Sequence, residues 1–260
     1  MPHKPLIQTS DYMHLLAGIP SGSADLVFTD PPYGVNYQNP YTKDKFPVIS
    51  GDSEFFSYSA LAREAYRILR PGTCFLAFTG WSTYPRHFDE IAAEGFTMKE
   101  PIIGQKRPSG TTDLEGSFQT NSDWVIFAHK GRFKFHSTEL LRNKRAGTVP
   151  NKGRKPVPEW KRRFPSAWFG PNFPYSSENP QFQKKLKAIG AKARHPTIKG
   201  REFCEWLIQL TTHKGGMVVD PFAGSGTIPL AAAALGRSVV AGDKIAAFAE
   251  LTKLRIANNV

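Results

Sequence analysis

The sequence has few of the features that mark secreted, zinc-binding or membrane-spanning proteins. Only two of its 260 residues are cysteine, Cys74 and Cys204, and they form no Cys-x-x-Cys pair. A disulfide framework and a metal site are therefore not expected. No apolar run approaches the ~18 residues of a membrane span, and the first residues lead into no apolar signal segment. We expect a cytoplasmic protein without membrane contact.

Acidic residues are scarce in one part of the chain. The whole sequence has a net charge of +12. Residues 132–199 alone hold 17 basic and three acidic residues, a net charge of +14. A disordered charged tail would carry few aromatic rings, whereas this segment contains Trp160, Phe164, Trp168, Phe169, Phe173, Tyr175 and Phe182. Cations interleaved with aromatic residues indicate a folded insert, residues 131–194, that binds nucleic acid.

An Asp-Pro-Pro-Tyr-Gly pentad, residues 30–34, directly follows an apolar run at residues 26–28 that predicts a buried strand. Loops at the carboxyl ends of such strands hold the active sites of open α/β sheets. Two consecutive prolines stiffen this loop and so fix the positions of Asp30 and Tyr33. A carboxylate and an aromatic face suit a planar ring that carries an exocyclic amine. The alternative interpretation is an ordinary strand-ending turn.

A second strand, turn and helix pattern lies near the other end of the chain. Apolar residues 217–219 precede the sequence Asp-Pro-Phe-Ala-Gly-Ser-Gly-Thr at residues 220–227. Glycines let the backbone approach a ligand closely, and the helix that follows offers free N–H groups. Asp243 ends the next predicted strand, 19 positions after Gly224. A spacing of ~20 is typical between a nucleotide-binding turn and the acid that binds ribose hydroxyls.

These two segments resemble the catalytic and cofactor motifs of S-adenosylmethionine-dependent amino-methyltransferases, which modify exocyclic amino groups, adenine N6 above all. The catalytic motif comes first, a variable middle follows and the cofactor motif is last. This is the order of the β group, a circular permutation of the other groups. A His-Pro-Thr-Ile-Lys sequence at residues 195–199 lies where that group carries its His-Pro-Thr cofactor loop. The resemblance covers most of the chain and is weakest over residues 131–194.

The resemblance implies roles for the catalytic loop. The target base would stack on Tyr33, while the Asp30 carboxylate and the Pro31 carbonyl would accept its amino hydrogens. Pro32 completes the rigid turn. Such chemistry requires the base to leave the duplex stack, because its amino group is otherwise out of reach.

The resemblance also implies a set of cofactor contacts. Asp243 would bind the ribose, and Asp11 would face the adenosine, although a plain helix N-terminal acid is an equally good interpretation of Asp11. The other implied contacts are Asp30, His195, Thr197, Lys199, Asp220, Phe222, Gly224, Ser225, Gly226 and Thr227. The alternative interpretations are a helix cap for Thr227 and a DNA-facing charge for Lys199.

The pattern of strands and helices predicts an α/β fold. We expect a doubly wound, mostly parallel, Rossmann-like sheet built from residues 1–130 and 195–260, with the basic target-recognition insert at 131–194. The methyltransferase topology is what the resemblance adds. At the level of single elements, Ser10 is predicted to cap the first helix, residues 96–106 to form one strand, and Trp81 to pack in the interior or wall the base pocket.

The predicted function is site-specific transfer of a methyl group from S-adenosylmethionine to adenine N6 in double-stranded DNA. Cytosine C5 methylation is disfavoured, since neither cysteine follows a proline and the enzymes of that reaction resemble one another in a Pro-Cys nucleophile. Cytosine N4 is the main alternative, although that motif more often begins with Ser. Methylation of RNA or of protein glutamine also stays open, as does a DNA-binding protein without activity. Many enzymes that resemble this chain are dimers, so we expect a homodimer, and a restriction endonuclease partner stays open.

Overall fold

The structure, a computed structural model, describes residues 4–32, 55–109, 116, 118, 120–136, 166–168, 180–193, 195 and 198–260. Two predicted site residues, Tyr33 and Thr197, lie outside these ranges, and so does most of the basic insert at 131–194. The roles predicted for these parts of the chain therefore stay predictions.

The described residues form nine strands and seven helices. The strands are β1 (Leu6–Thr9), β2 (Ala24–Thr29), β3 (Leu69–Thr79), β4 (Thr97–Met98), β5 (Ile102–Ser109), β6 (Thr120–His129), β7 (Ala167–Trp168), β8 (Met217–Asp220) and β9 (Ser238–Asp243). The helices are α1 (Tyr12–Ala17), α2 (Ser59–Ile68), α3 (Tyr84–Ala93), α4 (Pro180–Ala188), α5 (Arg201–Thr211), α6 (Thr227–Ala234) and α7 (Ala246–Asn258). None of these helices is long and apolar enough to cross a membrane.

The strands pair in the order β1-β9-β8-β2-β3-β6-β5-β7, and β4 pairs with β6. The neighbours from β1 to β3 are parallel, as are β5 and β7. Strand β6 is antiparallel to β3, β4 and β5. Helix α2 connects the parallel pair β2 and β3, and α6 connects β8 and β9. This arrangement confirms the predicted mostly parallel α/β sheet.

The central strand β2 divides two apolar cores, one on each face of the sheet. Successive side chains of a strand point to opposite faces, so Leu26 and Phe28 enter one core and Val27 the other. The first core is covered by α5 and α6, which contribute Phe203, Leu207 and Ile228. The second is covered by α1, α2 and α3, which contribute Leu16, Leu61 and Ile91. A strand that is buried on both faces is mostly apolar, and this explains the continuous apolar run of residues 26–28.

A third, smaller apolar cluster joins the end of the predicted insert to the last helix. Phe182 and Leu186 of α4 are buried against Leu251 of α7. Ile198 and Val260 pack around them. Helix α4 therefore rests on the part of the chain that follows the insert.

The start of α1 differs from the prediction, because Asp11 and not Ser10 caps the helix. The Asp11 backbone is extended, and its carboxylate accepts a hydrogen bond of 2.9 Å from the Met13 N–H. The Ser10 hydroxyl instead donates to the Asp11 carbonyl. The structure thus gives Asp11 the helix N-terminal role that was the alternative to a cofactor contact.

Two other local predictions are wrong. Residues 96–106 form β4 and β5 with a break at Pro101, which has no N–H to donate to a continuous ladder.

Trp81 was predicted mainly as a packing residue, yet the residue is 70% exposed. Trp81 lies in the turn that follows β3, where the chain leaves the sheet, so its indole is not part of the core.

The close packing of β5 against α5 predicts the effect of a substitution. A Cβ added at Gly104 would lie 2.7 Å from Cε1 of Phe203, a ring that is fully buried and cannot turn away. We expect Gly104→Ala to lower the free energy of unfolding by about 1–3 kcal/mol, measured by urea denaturation. Gly18→Ala is the matched control, since the nearest atom to its added Cβ lies 3.5 Å away. Equal urea midpoints for the two variants would show that the β5–α5 contact is looser than described.

Candidate active site

The predicted catalytic and cofactor segments meet at the carboxyl ends of the adjacent strands β2 and β8. From β2 the chain crosses to β3 on one side, and from β8 it crosses to β9 on the other side. Connections that diverge in this way leave a crevice between the two strands, where ligands of open α/β sheets bind. Asp30 follows β2, Asp220 ends β8 and Asp243 ends β9. Three carboxylates therefore stand at neighbouring strand ends.

Thr29 and Asp220 join the two segments directly. The Thr29 hydroxyl donates a buried hydrogen bond of 2.7 Å to Oδ1 of Asp220, across 191 positions of sequence. The N–H of Phe222 donates to the same oxygen at 3.2 Å. Within the described part of the chain, the other oxygen of Asp220, Oδ2, is buried and accepts no hydrogen bond. An unpartnered buried acceptor points to a ligand that donates hydrogen bonds.

Burial dominates the electrostatics of Asp220. Removal from water disfavours the ionised carboxylate and raises the pKa of Asp220 to about 8, although the hydrogen bonds from Thr29 and Phe222 act in the opposite direction. The carboxylates of Asp30 and Asp243 add to the rise. Asp220 therefore carries a proton at neutral pH until a positively charged or donor group approaches it.

Asp30 lies in a network of alternating charges. The Nζ atom of Lys199 lies 3.4 Å from Oδ2 of Asp30 and 4.0 Å from Oδ1 of Asp123. Lys106 donates a hydrogen bond of 3.0 Å to the same Asp123 oxygen. The Lys199 ammonium also lies 4.7 Å from the centre of the Phe78 ring. In the loop itself, the backbone after Asp30 is held by the buried ring of Pro31 and the partly buried ring of Pro32.

Two members of this network, Lys199 and Asp123, are held in their charged forms despite their burial. Burial disfavours the cation of Lys199, but the carboxylates of Asp30 and Asp123 outweigh it and raise the Lys199 pKa above its ordinary value. Burial likewise disfavours the Asp123 carboxylate, yet Lys199 and Lys106 together lower the Asp123 pKa. Both shifts favour the charged forms of Lys199 and Asp123.

The glycine turn after β8 is tightly enclosed. Gly224 and Gly226 have φ values of +50° and +81°, which side chains other than glycine rarely adopt. A Cβ at Gly224 would lie 2.9 Å from Nε2 of His195, and one at Gly226 would lie 2.9 Å from Cα of Thr252. The structure thus brings His195 onto the turn, as the position of the His-Pro-Thr loop suggested.

Asp243 supports the same turn. Its Oδ2 accepts the N–H of Gly224 at 2.9 Å, and its Oδ1 accepts the N–H of Ile245 at 2.8 Å. Each carboxylate oxygen has a second acceptor site, so these bonds leave capacity for the predicted ribose contact. That contact stays a prediction.

Thr227 begins α6 but does not cap it. The N-cap is Gly226, and no side chain caps this helix. The Thr227 hydroxyl instead lies 3.2 Å from the hydroxyl of Ser225 and accepts a hydrogen bond of 3.2 Å from Arg255. The helix-cap interpretation of Thr227 is therefore wrong.

Arg255 is a site residue that the sequence prediction missed. Its guanidinium is buried, donates to the carbonyl of Ser225 and to the Thr227 hydroxyl, and lies over the Phe182 ring. Its Nε donates to the Val260 carbonyl at 2.7 Å. One signal was available: Arg255 lies four positions after Leu251, on the apolar stripe of α7, where a cation needs buried partners.

An aromatic cluster, also missed, lies beside the turn. The Tyr12 and Phe222 rings stack with centroids 5.0 Å apart, and Phe56 packs edge-on against both. Phe222 thus has a packing role in addition to its predicted cofactor role. Among the described residues, no three His, Cys, Asp or Glu side chains are grouped so that they could hold a metal ion.

The sequence of this chain is similar to those of known DNA methyltransferases. A family model described as DNA methylase, N6_N4_Mtase, matches residues 24–254. The type II methyltransferase M.HpaI of Haemophilus parainfluenzae is 25% identical over 251 residues, which cover 95% of this chain and 72% of that protein.

Solved structures share the fold at lower identity. The complex of M1.HpyAVI with SAM is 17% identical, with a TM-score of 0.62, and the match covers 97% of this chain and all of that one. The cytosine-N4-specific PvuII DNA methyltransferase is 19% identical, with a TM-score of 0.68 over 95% of this chain and 84% of that one. Both structures are similar in architecture along nearly the whole chain.

The raised pKa of Asp220 predicts how stability varies with pH. Between the ordinary value of 3.8 and the native value of about 8, the folded protein holds a proton that the unfolded chain has released. The free energy of unfolding therefore falls as pH rises through this range, by up to ~1.4 kcal/mol per unit. We expect Asp220→Asn to remove this slope when urea denaturation is followed from pH 5 to pH 8 without ligand.

Asp89→Asn is the control for that experiment, because Asp89 is an exposed carboxylate on α3. Its pH profile is expected to run parallel to that of the unchanged protein. A parallel profile for Asp220→Asn would mean that Asp220 is ionised in the native state.

Proposed function

Since the chain belongs to the N6/N4 family of DNA methylases, we propose that it methylates the N6 amino group of adenine at specific sites in double-stranded DNA. The supporting observation is that Asp30 and the glycine turn stand at adjacent strand ends. Strands β2 and β8 pair along Leu26–Val218 and Val27–Val219, and the Thr29–Asp220 hydrogen bond continues this pairing to the edge of the sheet. A group that binds the target amine therefore lies one strand from a group that binds the cofactor.

The methyl donor is S-adenosylmethionine, and the residues present fit it. The Oδ2 atom of Asp220, which is buried and has no hydrogen bond among the described residues, suits the amino group of the methionine part. The turn at Gly224 and Gly226 is compact because the missing side chains leave room for His195 and Thr252 to pack against its backbone. Asp243 and His195 complete the predicted holding set. When bound, the cofactor supplies a methyl group on a positively charged sulfur, which is a strong electrophile.

Asp30 and the Pro31 carbonyl perform the chemistry on the side of the base. An aryl amine is a weak nucleophile, because its lone pair is delocalised into the ring. Two acceptors in a rigid loop hold its two hydrogens and favour a tetrahedral nitrogen with a localised lone pair. The contribution of the protein is thus orientation and fixed charge. The base has to leave the duplex first, and stacking on Tyr33 is the predicted means of holding it.

Adenine is preferred over cytosine because the catalytic motif begins with Asp30. Cytosine N4 methylation remains the second candidate, since the PvuII enzyme of that specificity has a similar fold and the same amine chemistry would serve it. The basic insert supports double-stranded DNA over RNA or protein, with cations for phosphates and some side chains for base edges. A homodimer and a restriction endonuclease partner remain predictions.

Product analysis tests the proposed substrate. Purified protein is incubated with duplex DNA and S-adenosylmethionine labelled in the methyl group, and the DNA is digested to nucleosides. We expect label in N6-methyladenine, and mapping of the modified positions would give the recognition sequence. Label in N4-methylcytosine would keep the reaction and change the base. Cofactor binding without any labelled nucleoside would contradict DNA as the substrate.

Removal of the Asp30 carboxylate tests the mechanism. We expect Asp30→Ala to lower the rate of methyl transfer by at least about 100-fold, because the target amine loses an acceptor. Cofactor affinity, measured by calorimetry, should stay within about threefold if Asp30 acts on the base. Asp89→Ala is the matched control at an exposed position and should keep full activity. Full activity of Asp30→Ala would contradict the mechanism.

A further inference from the structure

Lys199 occupies a position that differs from either role suggested by its sequence. It follows the His-Pro-Thr segment of the sequence, yet its ammonium lies 3.4 Å from the carboxylate of Asp30, the residue proposed to accept the target amine. Asp123 of β6 and the Phe78 ring of β3 flank it. One side chain thus connects the segment after the insert to three strands of the sheet.

Burial excludes a role for Lys199 in contacting DNA phosphates. Its side chain is 13% exposed, against 19% for Asp30 and 12% for Asp123. A lysine that binds phosphate needs its ammonium in solvent, whereas the side chain of Lys199 is largely buried. Charged groups at such depth are stable only when they are paired.

The ion pair between Lys199 and Asp30 is part of a larger network, because a balance of charge needs two further groups. Lys199 lies between two carboxylates, so these three groups alone would carry a net negative charge. Lys106 bonds to Asp123 and makes the four groups neutral overall. Asp123 therefore draws Lys199 toward β6, while Asp30 draws it toward the loop. The ammonium is fixed between them and in turn fixes the Asp30 carboxylate.

We propose that Lys199 is a positioning residue for methyl transfer, which holds the Asp30 carboxylate in the orientation that accepts the target amine, with Asp123 and Lys106 fixing Lys199 from behind. This inference rests on the proposed function, because it assigns Asp30 to the base. It replaces the methionine contact that the sequence suggested for Lys199. The two prolines thus restrain the backbone of the Asp30 loop, and Lys199 restrains the Asp30 carboxylate.

The test separates the rate of transfer from cofactor binding. In Lys199→Met the length of the side chain is similar but the charge is lost. We expect its kcat, measured as methyl label transferred to total DNA at saturating cofactor and DNA, to fall about 100-fold, the effect of a misplacement of ~1 Å. The cofactor Kd should stay within about threefold. Lys199→Arg keeps the cation and should recover part of kcat.

Two further variants define the network. Asp123→Asn does not change Asp30 but removes a carboxylate beside Lys199, so we expect a smaller fall in kcat, about tenfold, and again no change in cofactor Kd. Lys253→Met is the matched control, because Lys253 pairs with Glu250 on the exposed surface of α7. Its kcat and Kd should equal those of the unchanged protein.

Two results of the kinetic and binding measurements would overturn the proposal. A Kd raised more than about tenfold in Lys199→Met, with kcat preserved at saturating cofactor, would make Lys199 a cofactor residue. An unchanged kcat together with an unchanged Kd would remove any role in the reaction.

A stability cycle distinguishes this failure from failure of the proposed function. The free energy of unfolding is measured for Asp30→Asn, for Lys199→Met and for the double variant, none of which requires activity. Coupled effects support the Lys199–Asp30 pair even if the unchanged protein labels no DNA, in which case the proposed function alone fails. Additive effects show that the pair does not form, and the positioning role is then refuted.

Discussion

The pairing of β2 with β8 is the constraint on which the site depends. These strands come from opposite ends of the chain, and their last residues are joined by the buried Thr29–Asp220 hydrogen bond. The connections from the two strands run in opposite directions along the sheet. They therefore leave a crevice at the carboxyl ends of β2 and β8 in which a ligand can bind. A slip of one residue between β2 and its neighbours would turn the apolar side chains of β2 toward the wrong cores. The packing that fixes the register of β2 therefore also fixes the position of Asp30 relative to Asp220.

The three carboxylates at neighbouring strand ends are stabilised in three different ways. Asp30 is balanced by the Lys199 cation, and Asp243 accepts two backbone N–H groups. Among the described residues Asp220 has neither a cation nor a full set of donors, and burial raises its pKa. The acid that lacks compensation within the described chain is thus one of the residues predicted to contact the cofactor. Ligand binding supplies what folding leaves unsatisfied.

The sequence predicts most of the fold and the location of the site because both depend on local patterns. Apolar runs that end at Asp30 and Asp220 identify the strands, and glycine spacing identifies the turn. The interactions that were missed depend on distant residues. Lys199 meets Asp123, 76 positions earlier in the chain, only because β6 runs antiparallel next to β3. Arg255 reaches Ser225 across a helix interface. At the start of α1, Ser10 and Asp11 are both good capping residues, and backbone geometry decides between them.

The packing of helix α4 has a consequence for any exchange of the predicted recognition insert between proteins. Phe182 and Leu186 are buried against Leu251, and the Phe182 ring lies over the Arg255 guanidinium that binds the carbonyl of Ser225. A chimera that replaced the whole insert up to residue 194 would remove an apolar surface from α7 and uncover this arginine. Helix α4 therefore belongs physically to the scaffold although its basic composition groups it with the insert, and so does β7, which pairs with β5 and buries Trp168 in the first core.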